Sequence, residues 1–151
     1  HQRCRTTTLQ LVDAVSPDEL KRLRDALPGV ELVQVIHVTG PASEDEALAL
    51  APLVDALLLD SGNPNAAVKE LGGTGRTHDW ATSRRIVDAS PRPVYLAGGL
   101  RADNVAEAIA TVQPHGLDLC SGVRSLGRLD AAKLQAFMAA VRNGDARRAS
   151  A

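Results

Sequence analysis

The sequence predicts an α/β fold in which five strand–helix units share one parallel sheet. Short apolar runs alternate with segments whose apolar residues recur every three or four positions, as in strands followed by amphipathic helices. The run at residues 54–59 is apolar at five of six positions, which is typical of a strand buried on both faces. Regular alternation of this kind implies parallel strands joined by right-handed crossovers.

The first two units are marked by helix-start signals. Residues 6–12 are rich in β-forming side chains and predict the first strand. A capping box from Ser16 to Glu19, with proline in the first turn, predicts the start of the first helix. The second strand is expected at residues 32–38, and a second capping box at residues 43–46.

The third unit contains the longest connection in the chain. Its strand is expected at residues 56–60, and the glycine-rich stretch 61–79 predicts a loop. Asp79 is a suitable N-cap for the next helix, and Pro91 and Pro93 end that helix before the fourth strand.

The last two units complete the predicted domain, which covers residues 1–142. The fourth strand is expected at residues 94–96 and the fifth at residues 117–119. A final amphipathic helix is predicted at residues 130–141, and residues 143–151 are expected to form a polar, frayed tail. The side chains of this helix expected to face inward are Leu134, Phe137, Met138 and Val141.

Chain length leaves two architectures open. A complete (β/α)8 barrel, or TIM barrel, has about 250 residues, and this chain has 151. Five units fit either an open α/β sheet or the last five units of a barrel.

Composition excludes several classes of partner. Seventeen basic and eighteen acidic residues leave a net charge of −1, so no nucleic acid is expected. One Trp, one Tyr and one Phe cannot form a base-stacking platform. The sequence lacks an apolar stretch of about 18 residues, so no membrane is expected either. Cys4 and Cys120 have no metal-site spacing, and free thiols favour a reducing, cytoplasmic location.

Asp60 is the strongest candidate for chemistry. It ends the predicted third strand, and parallel α/β folds place their active sites at the carboxyl ends of strands. An isolated acid there is as often a helix cap or a rim ion pair. The glycine-containing loops that follow the later strands favour a general acid or base whose pKa is raised by apolar surroundings.

Two short loops follow the last two strands and predict a phosphate site. Gly98 and Gly99 come before a predicted helix, where backbone N–H groups and the helix N-terminus attract anions. Ser121 and Gly122 repeat this arrangement after the fifth strand. The cluster at residues 72–75 is a weaker signal, because a flexible loop also uses glycine.

The histidines and cysteines are weaker candidates. His37, His78 and His115 have no metal-site spacing, and His37 is expected to be a rim or core histidine. Cys120 is expected to be a small apolar packing residue, with ligand contact as the less favoured alternative, and Cys4 is expected to be exposed.

Four segments in this order resemble the phosphoribosylanthranilate isomerase family. They are LLLD ending at Asp60, GGTG with Asp79-Trp80, LAGGL with Asp103-Asn104-Val105, and Ser121-Gly122-Val123. The resemblance covers about residues 9–137 and corresponds to strands four to eight of the family's (β/α)8 barrel. It therefore favours a partial TIM barrel over an open sheet.

The resemblance implies a specific reaction. The family performs an Amadori rearrangement in tryptophan biosynthesis, without cofactor or metal. It converts N-(5-phosphoribosyl)anthranilate into 1-(2-carboxyphenylamino)-1-deoxyribulose 5-phosphate. By resemblance, Asp60 is the general acid that protonates the furanose ring oxygen. The implied substrate contacts are Gly73, Thr74 and Gly75, and the implied phosphate contacts are Gly98, Gly99, Ser121 and Gly122.

The sequence also departs from the family pattern. The family's general base, a cysteine at the end of strand one, has no counterpart here, since Cys4 precedes the equivalent of strand four. We therefore expect the chain alone to lack isomerase activity. Val12, His78 and Arg124 replace residues usual in the family.

Two other functions stay open at this point. One is a barrel enzyme that acts on another sugar phosphate. The other is a non-catalytic, phosphate-binding partial barrel that forms a homodimer through exposed sheet edges.

Overall fold

The computed structural model describes residues 1, 3–62 and 77–149, with backbone alone at 148 and 149. The main strands are β1 (Thr8–Leu11), β2 (Glu31–His37), β3 (Ala56–Asp60), β4 (Val94–Leu96) and β5 (Gly116–Leu117). The helices are α1 (Pro17–Ala26), α2 (Ala42–Leu50), α3 (Trp80–Ala89), α4 (Val105–Val112) and α5 (Ala131–Ala149). A hairpin of β6 (Arg124–Ser125) and β7 (Arg128–Leu129) precedes α5. None of these helices is long and apolar enough to cross a membrane.

The five main strands form one parallel sheet in the order β1-β2-β3-β4-β5. Each strand is added beside the preceding one, and the order never reverses. A doubly wound sheet reverses its strand order, whereas a barrel does not. The topology therefore confirms the predicted α/β fold of five βα units with barrel-type connectivity.

The main core lies between the sheet and the helices. Alternate strand residues such as Leu32, Ile36, Leu57 and Leu59 are fully buried there. They pack with helix residues in one cluster, among which Leu20, Ile86, Val105 and Phe137 are almost wholly buried. This core holds the strand ends in a fixed arrangement.

The opposite face of the sheet, which would face the inside of a barrel, carries a smaller apolar cluster. Val35, Leu58 and Ala97 are buried there, with Tyr95 packed beside them. Tyr95 lies opposite Gly116, where an added Cβ would come within 2.7 Å of the tyrosine ring. A groove of about 450 Å3 on this face is also lined by the polar residues Thr8, Gln10 and Glu31.

The first predicted helix start is confirmed, and the second is wrong. The Ser16 hydroxyl accepts the Glu19 N–H at 3.3 Å, and the Glu19 carboxylate accepts the Ser16 N–H at 2.9 Å. The second helix begins two residues earlier than predicted, with Pro41 rather than Ser43 at its N-cap position, and Pro41 already has helical dihedral angles. Ser43 is therefore inside α2, and its hydroxyl donates to the His37 carbonyl oxygen at 3.2 Å.

The final helix is longer than predicted. It continues to Ala149, although the sequence suggested a frayed tail from Asn143. Gly144 is buried, and a Cβ there would lie 2.9 Å from the Ile109 side chain, so glycine allows α5 to pack closely on α4. The inward prediction holds for Phe137, but Met138 is 44% exposed.

Candidate functional site

The carboxyl ends of β3, β4 and β5 enclose a small cavity of about 60 Å3. Its lining residues are Asp60, Ala97, Gly98, Gly99, Leu100, Asp118, Leu119, Cys120 and Ser121. The structure thus brings the acid and both short loops to one rim of the sheet. The cavity is smaller than the roughly 300–1,000 Å3 of typical ligand pockets, and its size suits a phosphate group rather than a whole sugar phosphate.

Asp60 is buried at the end of β3. Its side chain is 7% exposed, and one carboxylate oxygen accepts the Ser61 N–H at 2.7 Å. Burial raises the pKa of the Asp60 carboxyl, and nearby Asp118 raises it further, against opposing contributions from Ser61 and His37. A carboxyl that keeps its proton to higher pH is suited to act as a general acid.

The loop after β4 lies directly against Ser61, the residue that follows Asp60. Gly98 and Gly99 have φ values of +84° and +62°, which favour glycine. A Cβ on Gly98 would lie 2.7 Å from the Ser61 hydroxyl oxygen, so no larger residue fits without displacing that loop. Asn104 fixes the loop further: its side-chain N–H donates to the Gly99 carbonyl at 3.0 Å, and its oxygen accepts the Arg101 N–H at 2.8 Å. Sequence analysis gave Asn104 no role.

The helix dipole does not act where it was predicted. We expected the glycine pair to lead directly into a helix, but α4 begins only at Val105. The favourable field of a helix N-terminus decays within its first turn. Anion binding at Gly98 and Gly99 would therefore depend on the loop's own N–H groups.

The loop after β5 touches the loop after β4. Residues Ser121–Val123 form a short 3₁₀ turn, and a Cβ on Gly122 would overlap the Leu100 carbonyl oxygen. Glycine at this position therefore lets the two loops meet. Cys120 was predicted to be a packing residue, but β5 ends at Leu117, so Cys120 is exposed and lines the cavity.

Asp118 is a second carboxylate at the rim that sequence analysis did not single out. It follows the last residue of β5, lines the cavity and raises the pKa of Asp60. An available signal was that Leu117-Asp118 repeats the pattern of Leu59-Asp60, an apolar strand residue followed by an acid. The longer predicted strand placed Asp118 inside β5 and so concealed it.

The three histidines with no metal-site spacing lie in different surroundings. His37 ends β2, is 8% exposed and lies opposite Asp60 in the strand register. Burial lowers the pKa of His78 to about 4, and its ring is 2.7 Å from the Ser83 hydroxyl. His115 contacts the Tyr95 ring edge-on, with 5.3 Å between ring centres.

A larger groove of about 510 Å3 lies at the opposite, amino-terminal ends of the strands. There the Asp55 carboxylate accepts hydrogen bonds from Arg24 at 2.7 Å and from the Leu32 N–H at 2.8 Å. In barrel folds this end serves stability, and active sites form at the other end. The smaller rim cavity is therefore the candidate site. The predicted substrate contacts Gly73, Thr74 and Gly75 lie outside the described residues.

Comparison with known proteins agrees with this geometry. Residues 8–140 match the family described as N-(5'phosphoribosyl)anthranilate (PRA) isomerase. The N-(5'-phosphoribosyl)anthranilate isomerase of Haloferax volcanii is 45% identical over 135 residues, covering 89% of this chain and 57% of the relative. The enzyme of Methanocella arvoryzae is 40% identical over 124 residues, covering 82% of this chain and 56% of the relative.

Solved structures show the same fold. Phosphoribosyl anthranilate isomerase from Thermus thermophilus matches with a TM-score of 0.74 and 27% identity, covering 94% of this chain and 64% of that one. The structure from Thermococcus kodakaraensis matches with a TM-score of 0.68 and 35% identity, covering 91% and 64%. The chain spans little more than half the length of the curated relatives it matches. The family match, the identity to its members and the shared fold together show that the chain belongs to the N-(5'-phosphoribosyl)anthranilate isomerase family.

Proposed function

We propose that this chain supplies the general acid and the phosphate site of a phosphoribosylanthranilate isomerase. The reaction is the Amadori rearrangement of N-(5-phosphoribosyl)anthranilate to 1-(2-carboxyphenylamino)-1-deoxyribulose 5-phosphate, a cytoplasmic step of tryptophan biosynthesis. One observation carries the proposal. A buried carboxyl with a raised pKa, Asp60, shares a small cavity with two glycine-containing loops.

Asp60 acts in the first half of the reaction. It donates its proton to the furanose ring oxygen as the bond from that oxygen to C1′ breaks. The electron pair of the anilino nitrogen forms the C=N bond of the opened intermediate. Burial supports this role, because it keeps the Asp60 proton in place to higher pH than an exposed carboxyl would.

A general base completes the reaction by removing the C2′ proton, and the resulting enamine becomes the ketone. Cys4 is exposed and precedes β1, so it is a poor candidate for a base at the rim. The chain alone is therefore inactive under this proposal. Cys120 lines the cavity, so its thiol is the group to test first if activity is found.

The phosphate of the substrate binds at the loops of Gly98, Gly99, Ser121 and Gly122. The positive φ angles of Gly98 and Gly99 support this role, because glycine lets the backbone approach a ligand closely. The contact between Gly122 and Leu100 supports it by bringing the two loops together at the cavity. The cavity's volume suits one phosphate group. Gly73, Thr74 and Gly75 are proposed to contact the rest of the substrate.

Two further proposals concern alternatives and assembly. The small cavity is also compatible with a phosphate-binding partial barrel that has no activity, or with another sugar phosphate as substrate. The chain is further proposed to self-associate through β1 and β5, which are the edge strands of the sheet.

The decisive experiment follows the loss of phosphoribosylanthranilate fluorescence. The 151-residue chain should show no turnover above background. A fusion that adds the amino-terminal part of the Haloferax volcanii relative should be active, and Asp60→Asn in that fusion should reduce the rate about 10²–10⁴-fold. A folded fusion that binds phosphate without turnover would favour the non-catalytic alternative. Turnover by the chain alone, abolished by Cys120→Ser, would show that the base lies within it.

A further inference from the structure

We propose that Nδ1 of His37 accepts a hydrogen bond from a hydroxyl or N–H group of the sugar bound beside Asp60. This inference rests on the proposed function and adds a substrate contact on β2 to a site otherwise built from β3, β4 and β5.

The position of His37 brings it to the same rim as Asp60. His37 is the last residue of β2, and Asp60 is the last residue of β3. The two are opposite each other in the parallel register, so their side chains lie on the same face of the sheet. Both are deeply buried, with 8% and 7% of their surfaces exposed.

The hydrogen bond of His37 to the backbone defines its tautomer. Nε2 lies 3.1 Å from the carbonyl oxygen of Val12, at the end of β1. A carbonyl oxygen can only accept, so Nε2 must carry the hydrogen. In the neutral ring Nδ1 then holds a lone pair and is an acceptor.

This acceptor has no partner in the part of the chain that the structure describes. Nδ1 of His37 is buried, and no described residue donates a hydrogen bond to it. Buried polar atoms in folded proteins nearly always have a partner. A ligand group that carries a hydrogen on oxygen or nitrogen would satisfy Nδ1, whereas the dianion of a phosphate ester has no hydrogen to donate.

The order of the strands gives the ligand's direction along the rim. The proposed phosphate loops follow β4 and β5, Asp60 ends β3, and His37 ends β2. Neighbouring strands lie about 4.8 Å apart, so His37 is about 10 Å or more from the phosphate loops. A sugar phosphate anchored at those loops would therefore present to His37 the part of the sugar remote from its phosphate.

The test uses the 151-residue chain labelled with 15N-histidine and 15N-glycine, at about pH 8, where histidine side chains are ordinarily neutral. In the free chain we expect a protonated Nε2 and a bare Nδ1, with the signals assigned by their loss in His37→Gln. The reaction product should shift both the Gly99 amide and His37 Nδ1, the latter in the direction of hydrogen bonding. Inorganic phosphate should shift the Gly99 amide alone, because the phosphate loops lie about 10 Å or more from His37.

Two variants provide the matched affinity test. His37→Gln can still donate to Val12 but has no acceptor at the position of Nδ1, so product should bind about three- to tenfold more weakly while phosphate binding stays unchanged. His37→Asn places its carboxamide near the position of Nδ1 and should retain more product affinity than His37→Gln. Equal losses in the two variants would mean that His37 acts only through the fold. If either variant fails to fold, the wild-type spectra decide.

The outcomes separate this inference from the proposed function. A product that shifts the Gly99 amide but leaves Nδ1 unchanged overturns the contact and leaves the phosphate site intact. A free chain with its proton on Nδ1, or an equal Nδ1 shift with phosphate alone, also overturns the contact. A product that shifts neither signal contradicts the proposed function itself.

Discussion

Asp60, the last residue of β3, and Asp118, the first residue after β5, line one cavity, with β4 between their strands. Burial is the main cause of the raised pKa of Asp60, and the carboxylate of Asp118 adds to it because two negative charges repel. Two carboxylates in one site with different exposures are a common way to keep one of them protonated. Asp118 is the exposed member of this pair.

Asp118→Asn is expected to lower the pKa of Asp60, because it removes a nearby negative charge and leaves burial unchanged. A carboxyl 13C titration of the two proteins measures the change. Asp103→Asn is the matched control, since Asp103 is exposed and pairs with Arg101 outside the cavity. An unshifted Asp60 titration in Asp118→Asn would show that the two carboxylates do not interact.

Asp60→Asn is expected to stabilise the fold at neutral pH. The raised pKa of Asp60 means that the ionised form is disfavoured in the folded state, so wild-type stability falls as pH rises. The loss starts near the unfolded carboxyl pKa of about 4 and is complete above the raised folded pKa. Asparagine carries no charge and can still accept the Ser61 N–H.

Urea unfolding at several pH values measures this effect. The variant should be more stable than the wild type at about pH 7, and the difference should shrink towards zero as pH falls below about 4. A constant difference across this range would mean that packing, rather than ionisation, distinguishes the two proteins.

Asp55→Ala is expected to destabilise the fold by about 1–2 kcal/mol. Solvent screening keeps this loss small, because the Arg24 and Asp55 side chains are about one-third exposed. The variant loses the hydrogen bonds from Arg24 and from the Leu32 N–H, which join α1 and β2 to the start of β3. The control is Asp18→Ala, whose pair with Lys21 is largely exposed and worth less than about 0.5 kcal/mol. Similar losses in both would contradict a structural role for Asp55.

Gly99→Val is expected to weaken phosphate binding more than about tenfold, because bulk at the loop blocks charged hydrogen bonds from its N–H groups. In a catalytically active fusion the same change should raise KM strongly. Gly127→Val is the matched control: Gly127 also has a positive φ, of +77°, but lies in the β6–β7 turn with open space around it. Phosphate titration followed by calorimetry compares them, and unchanged binding in Gly99→Val would place the phosphate elsewhere.

Features of the fold that local sequence patterns determine could be predicted from the sequence. Strand and helix periodicity gave all five βα units, and an acid after a buried apolar run identified the rim position of Asp60. Features that depend on tertiary contact were missed. The polar composition from Asn143 suggested a frayed tail, but α5 continues to Ala149, and Gly144 packs closely on α4. The early end of β5, which exposes Asp118 and Cys120, follows from register with Tyr95 and Leu96 rather than from a local signal.

The two edge strands of the sheet favour self-association of the chain. β1 and β5 each pair with one neighbour in the described sheet, and unpaired edges invite pairing with another chain. On the sheet face opposite the helices, Val33 of β2 and Leu58 of β3 are apolar residues that line the groove of about 450 Å3 beside β1. We expect the 151-residue chain to dimerise or aggregate at micromolar concentration in sedimentation velocity.

Gln10→Lys tests which surface is responsible. Gln10 is exposed on β1 and lines the inner groove, so a charge there opposes edge pairing and should shift the chain towards monomer. Gln135→Lys makes the same charge change on an exposed position of α5 and should leave association unchanged. Equal effects of the two variants would indicate a general charge effect. A wild-type monomer with a cooperative thermal transition would contradict edge pairing, because the sheet would then be stable with both edges unpaired.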